Sequence, residues 1–372
     1  MLPKQLVILG TRGIPNRYGG FETFAEKLAP YLVQQGWQIT VYCQQDMISS
    51  PAPLMDEWQG VKRVHLTPTL FGRVITGAYG TILFDLMATW HAWRHKRRAV
   101  WLTLGYNTSL FNVLPKCFGT KQIINMDGME WQRDKWSGLR KAYLYLAYHI
   151  AGRVADHLVA DHPEIEAILK KSFKTPTQMI AYGSPVVQGT EGALVQAYGV
   201  EPGQYALIIA RAVPENGILE IVQSWSKQGS GQKLLIIGAY DPQDAYQGKV
   251  LSYRSENIVF AGAIYDRSVL DALREHCLFY FHGYRVGGTN PSLIEAMGCG
   301  AAIIAHDNRF NRWVVGQGGL FYADQAALDR LITGISAIAL PELRHNARQR
   351  HQAAFQWQPV LEAYEGLIKS CC

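Results

Sequence analysis

The chain has 372 residues, 48% hydrophobic and 18% charged, with 36 Lys and Arg against 30 Asp and Glu. This is a globular composition, long enough for two domains, and no apolar run nears the ~18 residues of a membrane span. Six cysteines are scattered without a CxxC pair, which argues against a disulfide framework or a thiolate zinc site. The opening "MLPKQLVILG" has too short an apolar stretch for a signal peptide and leads into a strand, so a cytoplasmic protein is expected. Residues 1–183 carry 21 Lys and Arg against 13 Asp and Glu, whereas residues 184–372 carry 15 against 17. The first half is therefore expected to face something anionic.

Strand-like runs alternate with helix-like segments along the chain. The first series is Leu6–Leu9, Ile39–Cys43, Val61–Leu66, Val100–Leu104, Gln122–Met126, Leu158–Ala160 and Gln178–Ala181. The second is Tyr205–Ala210, Lys233–Ile237, Ile258–Phe260, Leu278–Phe281 and Ala301–Ala305. Such alternation predicts parallel sheets covered by helices on both faces. Two series predict two doubly wound α/β domains facing across a cleft, with ligands at the carboxyl ends of the strands. The expected boundaries are 1–183, a glycine-rich linker over 184–204, a second domain over 205–356, and a C-terminal helix over 357–372 returning towards the first domain.

In chain order, the first strand runs into "GTRGIPNRYGGFET", where Gly10, Gly13, Gly19 and Gly20 make a long loop before a helix beginning near Glu22. This is not the GxGxxG of a dinucleotide site. Arg12, Arg17 and Tyr18 in it are candidates for substrate contact; a plain crossover turn is the alternative. "HAWRHKRRAVW" sets Arg94, Lys96, Arg97 and Arg98 beside Trp90, Trp93 and Trp101, and residues 137–153 are apolar and tyrosine-rich with cationic flanks. Interfacial segments carry this mixture, though a solvated cationic face over core helices would also fit. "INMDGMEWQRDKW" places Asp127, Glu130, Arg133 and Lys135 after a strand. Asp161 and Tyr182 follow the next two strands; Asp161 could also simply cap the helix that starts near Pro163.

The second half opens with "RAVPENG", putting Arg211 at a strand's carboxyl end, where a guanidinium can clamp a phosphate. Gly238 and the Gly262-Ala263-Ile264 stretch end the next two strands and predict a backbone-lined slot for a flat base. "HGYRVGGTNPSLIEAMGCG", residues 282–300, reads as strand, glycine loop and capped helix, with Asn290 as N-cap and Pro291 at the first helical position. A helix start after a glycine loop is an anion site. Glu295, about 5 Å inside, suits ribose hydroxyls. The stretch predicts a nucleoside diphosphate site; an ordinary capped helix with a salt-bridged glutamate is the plainer alternative. No DxD, HExxH or His cluster is present, so no catalytic metal is expected, and no GxSxG elbow is found.

These four motifs, "GTRGIPNRYGGFET", "DGMEWQRDKW", "RAVPENG" and "HGYRVGGTNPSLIEAMGCG", span the chain. Together they resemble the family 4 glycosyltransferases of GT-B fold, in the bacterial subgroup of rhamnosyltransferases that build polysaccharides. The resemblance implies a retaining, metal-independent transferase needing no cofactor. It implies that Arg211 meets the donor diphosphate, Glu295 the ribose, and Gly288, Thr289, Asn290 and Ser292 the phosphate and sugar. Arg12, Gly19, Gly20, Gly238, Ile264 and His282 complete the expected substrate contacts. Asp161, Asp127 and Tyr182 are expected near the sugar and acceptor.

Two positions depart from the broader family: Asn216 replaces a lysine, and Gly287 replaces the first acid of a glutamate pair. The subgroup shares the Gly-Gly-Thr-Asn-Pro pattern, which points to altered sugar choice. The implied donor is dTDP-L-rhamnose, the acceptor a lipid-diphosphate-linked saccharide, and the setting the inner face of an anionic membrane; no nucleic-acid partner is expected. A UDP-hexose-dependent transferase, a nucleotide-sugar epimerase and a non-catalytic nucleotide-sugar-binding module are the competing readings. Glu295→Ala is expected to weaken nucleotide binding and leave the fold intact.

Overall fold

The computed structural model describes residues 4–16, 19–45, 53–133, 137–228, 231–335 and 338–372. The chain divides into two compact units, Met1–Tyr182 with Trp357–Cys372, and Gly183–Gln356.

The first unit begins β1 (Gln5–Leu9), α1 (Gly20–Gln34), β2 (Gln38–Gln44), β3 (Leu54–Trp58) and β4 (Val61–Leu66). A small hairpin, β5 (Thr69–Leu70) and β6 (Arg73–Val74), leads to the long helix α2 (Gly77–Lys96). Then come β7 (Val100–Leu104), α3 (Val113–Cys117), β8 (Gln122–Asn125), α4 (Gly138–Val154), β9 (His157–Ala160), α5 (Pro163–Ser172) and β10 (Thr177–Met179). The main sheet has the order β10-β9-β8-β7-β1-β2-β4-β3. Only β3 runs antiparallel, against β4. Its residues are mostly exposed and follow no apolar run, which is why the sequence pattern does not mark it. Strands β1, β7 and β8 are almost wholly buried, as expected of parallel strands covered on both faces.

The second unit contains α6 (Ala193–Gln196), β11 (Tyr205–Ile209), α7 (Ile218–Gln228), β12 (Lys233–Ile237), α8 (Ala245–Leu251), β13 (Ile258–Gly262), α9 (Arg267–His276) and β14 (Phe279–His282). It continues with α10 (Pro291–Gly298), β15 (Ala302–His306), α11 (Arg309–Val315), β16 (Gly319–Tyr322), α12 (Gln325–Thr333) and α13 (Leu340–Ala354). Its sheet, β13-β12-β11-β14-β15-β16, is parallel throughout. Helix α7 buries Ile218, Ile221, Val222 and Trp225, the i, i+3, i+4, i+7 face of an amphipathic helix. Strand β16 begins on a glycine because a Cβ at Gly319 would lie 2.6 Å from the Ile303 carbonyl oxygen.

The 184–204 segment is held to the second unit at several points. Ser184 is buried, donates to the Ile294 carbonyl and lies 2.7 Å from His351 Nε2. The backbone N–H groups of Gly189 and Thr190 donate to Glu275. The last helix, α14 (Trp357–Ser370), is part of the first unit. It buries Val360, Leu361, Tyr364, Leu367 and Ile368 in the same core as Phe24, Leu28 and Leu32 of α1.

Each sheet changes winding direction once at its centre. In the first unit β1 lies between β7 and β2; in the second β11 lies between β12 and β14. The loops leaving two such neighbouring strands diverge to opposite faces and open a crevice at the carboxyl edge. The residues after β1 and β7, and after β11 and β14, are therefore the places to look for chemistry.

Candidate functional site

In the second unit, the loops after β11 and β14 interlock backbone to backbone. A Cβ on Gly217 would sit 2.7 Å from the Gly283 carbonyl oxygen, and one on Gly283 would sit 2.4 Å from that of Asn216. Gly217 also has φ 62°, so glycine is required there for both conformation and space. The Arg285 N–H donates to the Glu215 carbonyl at 3.0 Å. Asn216 is buried, and its Nδ2 donates to the Arg211 carbonyl at 2.8 Å. The asparagine that stands in place of a cation thus shapes the loop around Arg211. The Arg211 side chain is exposed. Arg285 pairs with Glu220 at 2.7 Å.

Helix α10 begins as its sequence predicts. Asn290 is the N-cap, its side chain accepting from the Ser292 N–H, and Pro291 occupies the first turn. Ser292 Oγ lies 2.6 Å from Tyr280 Oη, and the tyrosine donates to the Ile209 carbonyl at 3.3 Å. The helix tip is thereby tied to the ends of β11 and β14. Thr289 is buried; Gly288 is half-buried.

Glu295 has a partner that the sequence did not reveal. Its Oε2 accepts from Arg274 Nη2 at 2.5 Å, and Arg274 Nη1 donates to Asp271 at 3.2 Å. Arg274 is 4% exposed, while the Glu295 side chain keeps 24% of its surface. Burial works against the guanidinium's charge, but Glu295 above all holds its pKa raised. One carboxylate oxygen is thus anchored by a buried cation, and the other is available to a ligand. The only foretaste in the sequence is an Asp-x-x-Arg spacing in α9, which is too common to single out.

His282 ends β14 and is 1% exposed, with its ring parallel to Tyr284 at 4.4 Å. Both ring nitrogens are buried without a hydrogen-bond partner among the described residues. Burial drives its pKa down to about 3, so the ring is neutral. Unpaired buried nitrogens are costly. His282→Phe is therefore expected to keep the stack and to hold or raise the thermal midpoint. A fall of several degrees would show that the nitrogens are satisfied in solution.

A cavity of about 500 Å³ opens at the ends of β12 and β13, lined among others by Gly238, Tyr240, Arg254, Phe260 and Gly262. Tyr240 meets Phe260 edge-on at 5.4 Å, and Arg254 lies 5.6 Å from the Phe260 ring centre. A Cβ on Gly238 would lie 2.4 Å from the Ala210 carbonyl oxygen. Ile264 is half-buried in the loop two residues past Gly262.

In the first unit, the loop after β1 is organised by a buried acid. Glu22 accepts from the Arg12 N–H at 2.8 Å and from Thr11 Oγ1 at 3.1 Å. Gly19 is the N-cap of α1 and Gly20 its first residue. Arg12 Nη2 donates to Thr81 Oγ1 at 3.2 Å. Nearby, Thr108 Oγ1 donates to Asp85 at 2.9 Å, and burial raises the Asp85 pKa to about 6 against the pull of Thr108 and Arg12. Asp85 was not singled out from sequence; it looks like one helix acid among many. Arg17, Tyr18 and Lys135 lie outside the described residues.

Asp161 and Tyr182 lie near α14, and Asp127 is linked to it through Asn125. The Asp127 N–H donates to Asn125 Oδ1, and Asn125 Nδ2 donates to Tyr364 Oη at 2.8 Å. Asp127 has φ 50°, an unusual backbone conformation for a non-glycine residue. Asp161 is 9% exposed and close enough to Tyr364 to help raise its pKa, although burial is the larger cause. The N-cap of α5 is His162, whose Nδ1 accepts from the Glu164 N–H, so Asp161 is not the cap. The Tyr182 ring packs tilted against Phe24 (6.3 Å) and edge-on to Trp357 (5.5 Å). Tyr364 was missed because nothing local marks a residue 239 positions from its partner. Among the described residues, no group of three His, Cys, Asp or Glu is arranged to hold a metal ion.

Residues 3–185 match the family described as a domain of unknown function, DUF1972, and residues 196–353 match Glycosyl transferases group 1. No match was found among curated proteins. Among solved structures, the chain is similar to a sucrose-phosphate synthase from Thermosynechococcus elongatus, with TM-score 0.83, 18% identity and coverage of 99% of this chain and 98% of that one. It is also similar to HepE from Anabaena in complex with UDP and glucose, with TM-score 0.78, 13% identity and coverage of 99% and 100%. A third is an α,α-trehalose-phosphate synthase (UDP-forming) from Burkholderia vietnamiensis, with TM-score 0.73, 12% identity and coverage of 99% and 100%. Identities this low speak for the fold, and the domain match speaks for the activity. The fold is that of the GT-B glycosyltransferases, and residues 196–353 form a group 1 glycosyl transferase domain within it.

Proposed function

We propose that the protein is a retaining glycosyltransferase that moves L-rhamnose from dTDP-L-rhamnose onto a lipid-diphosphate-linked saccharide, in bacterial surface polysaccharide synthesis. The observation that carries the donor site is the α10 tip, fixed by Tyr280 and Ser292 beside the Arg211 loop, with one oxygen of Glu295 left open. In this reading Arg211 and the α10 N-terminus take the diphosphate, Glu295 the ribose hydroxyls, and the Gly238–Gly262 cavity the base. Gly288, Thr289 and Asn290 are assigned to the sugar; His282, with both ring nitrogens buried, is left out of the contact. Gly287 leaves no acid for a donor hydroxyl, which suits a 6-deoxy sugar with a methyl group there.

The chemistry is mainly electrostatic. Arg211 and the helix N–H groups stabilise the departing diphosphate as the sugar gains oxocarbenium character. The diphosphate in turn receives the proton of the acceptor hydroxyl as that oxygen bonds the anomeric carbon on the face the diphosphate leaves. Asp127, Asp161 and Tyr182 are assigned to the sugar and acceptor. The basic first half suits an anionic membrane and a lipid diphosphate.

A UDP-hexose donor is the second reading. It is favoured by the UDP and glucose bound to the similar HepE protein. The deciding experiment offers a panel of dTDP- and UDP-sugars, with and without lipid acceptor, and measures nucleoside diphosphate release. Acceptor-dependent release from dTDP-L-rhamnose is expected. Release from UDP-hexoses alone would replace the donor, and binding without release would leave only a sugar-nucleotide-binding module.

Arg211→Ala is expected to weaken dTDP binding at least about tenfold, through loss of a charge-assisted bond, and to leave thymidine binding nearly unchanged. Calorimetry with both ligands tests this. Equal losses would remove Arg211 from the diphosphate.

A further inference from the structure

Helix α2 is apolar on both sides. One face buries Phe84, Ala88 and Ala92. The other exposes Tyr79 (77%), Ile82 (40%), Leu86 (44%) and Trp90 (49%), at spacings of three and four residues that align them in one stripe. The stripe continues onto its neighbours. Trp90 meets Trp93 at 5.2 Å, and Trp93 meets Phe118, just past α3, at 5.2 Å. Leu110 and Leu114 are exposed on the turn and helix leading there. Helix α4, joined to this group by Tyr143 Oη donating to the Asn107 carbonyl, exposes Leu139 (90%) and Leu146 (54%). At the start of α2, the hairpin closed by Ile75 N–H to the Pro68 carbonyl exposes Phe71 at 95%.

Scattered exposed apolar residues need no explanation, but a connected face of this kind marks an interaction surface. Its charge selects the occupant. Residues 69–98, 109–118 and 137–154 together hold nine Lys and Arg and a single acid, Asp85. Asp85 is drawn inward to Thr108, while Arg94, Arg97 and Arg98 are exposed at one end of the stripe and Arg140 and Lys141 at the start of α4. Arg94 lies 6.0 Å from the Trp90 ring centre. An apolar centre with a cationic rim and tryptophans between is complementary to an anionic bilayer surface, where acyl chains and headgroup charges are met together. Among the described residues, no helix is long and apolar enough to cross a membrane, so this face would lie on the leaflet.

We propose that the face built from α2, the 109–118 segment and α4 docks on an anionic lipid bilayer. Phe71, Ile82, Leu86 and Trp90 enter the acyl boundary, and the Arg94–Arg98 cluster meets the headgroups. This inference rests on the reading of a lipid-linked acceptor and names the surface that would deliver it.

The test is flotation of the full chain with phosphatidylcholine vesicles, with and without phosphatidylglycerol, at low and high salt. Two variants are compared: Ile82→Ser with Leu86→Ser and Trp90→Ser, and the change of Arg94, Lys96, Arg97 and Arg98 to Ser. The wild type is expected to float with anionic vesicles only. The charge variant should lose partitioning more than about tenfold, and high salt should imitate it, because surface charge is screened within a Debye length of about 8 Å at physiological salt. The apolar variant should lose the part that survives salt. If that variant melts abnormally, Leu139→Ser with Leu146→Ser, on exposed positions of α4, takes its place.

Failure of the wild type to float, or flotation of both variants like the wild type, would overturn the proposal. So would a wild-type dimer that the apolar changes convert to monomer, since the face would then belong to a second copy. Release of nucleoside diphosphate from the donor panel is measured in parallel without vesicles. If release persists while flotation fails, docking falls and the transferase reading stands. If variant-sensitive flotation persists with no donor turned over, docking stands and the transferase reading falls.

Discussion

Glu295→Ala is expected to lower the thermal midpoint by roughly 6–12 °C and to weaken nucleoside diphosphate binding at least about tenfold. The sequence led us to expect an intact fold, because it points to Glu295 first as a ligand contact and to a salt-bridged glutamate only as the plainer alternative. The structure revises that expectation, because the carboxylate also neutralises Arg274, which is 4% exposed. Removing it leaves Arg274 with Asp271 alone, itself a desolvated acid whose pKa burial raises. Breaking a buried pair from one side costs about 3–5 kcal/mol. Glu295→Gln separates the two roles. It keeps an oxygen for Arg274 and should recover part of the midpoint while nucleotide affinity stays low. Calorimetric melting and dTDP titration on both variants decide the matter. An alanine variant that melts like the wild type would mean the ion pair contributes nothing. Unchanged affinity would take ribose binding away from Glu295.

The same residue shows where sequence reading reaches and where it stops. Local grammar was legible. The Asn290-Pro291 start, the glycine turns and the buried strand runs are set by backbone chemistry within a few residues, and all appear in the fold. The strands left unread were the two-residue pair β5 and β6, β3, which is exposed and carries charge, and β16, which opens on a glycine needed for contact with β15. What the sequence could not supply were partners brought in from elsewhere: Arg274 for Glu295, Tyr364 for Asn125, and Thr108 for Asp85. Asn216 is the instructive case. By substitution it reads as a lost cation, but its side chain closes the loop on the Arg211 carbonyl. A residue's type shows what it can bond to, and only the fold selects among those bonds.

Asp85 gives the second large effect, and its sign follows from where the fold puts the carboxyl. Burial raises its pKa from 3.8 to about 6; the Thr108 hydroxyl and the Arg12 charge offset this only in part. The folded chain therefore holds this proton more tightly than the unfolded chain does. Well below its unfolded pKa of 3.8 the carboxyl is neutral in both states and costs nothing. As pH rises through 4 to 6 the unfolded chain releases the proton first, and stability falls by about 2–3 kcal/mol before levelling off. Asp85→Asn keeps a carbonyl oxygen for the Thr108 hydroxyl and removes the titration. The variant should thus come closest to the wild type near pH 4 and exceed it by about 2–3 kcal/mol above pH 7. The neighbouring Tyr143 hydroxyl, whose pKa is raised first by burial and then by the Asp85 charge, should titrate lower in the variant. Urea unfolding of both proteins from pH 4 to pH 8 is the measurement. Curves that stay parallel would show that Asp85 reaches water freely. A variant less stable at neutral pH would show that the carboxylate is held by Arg12 more strongly than burial opposes it.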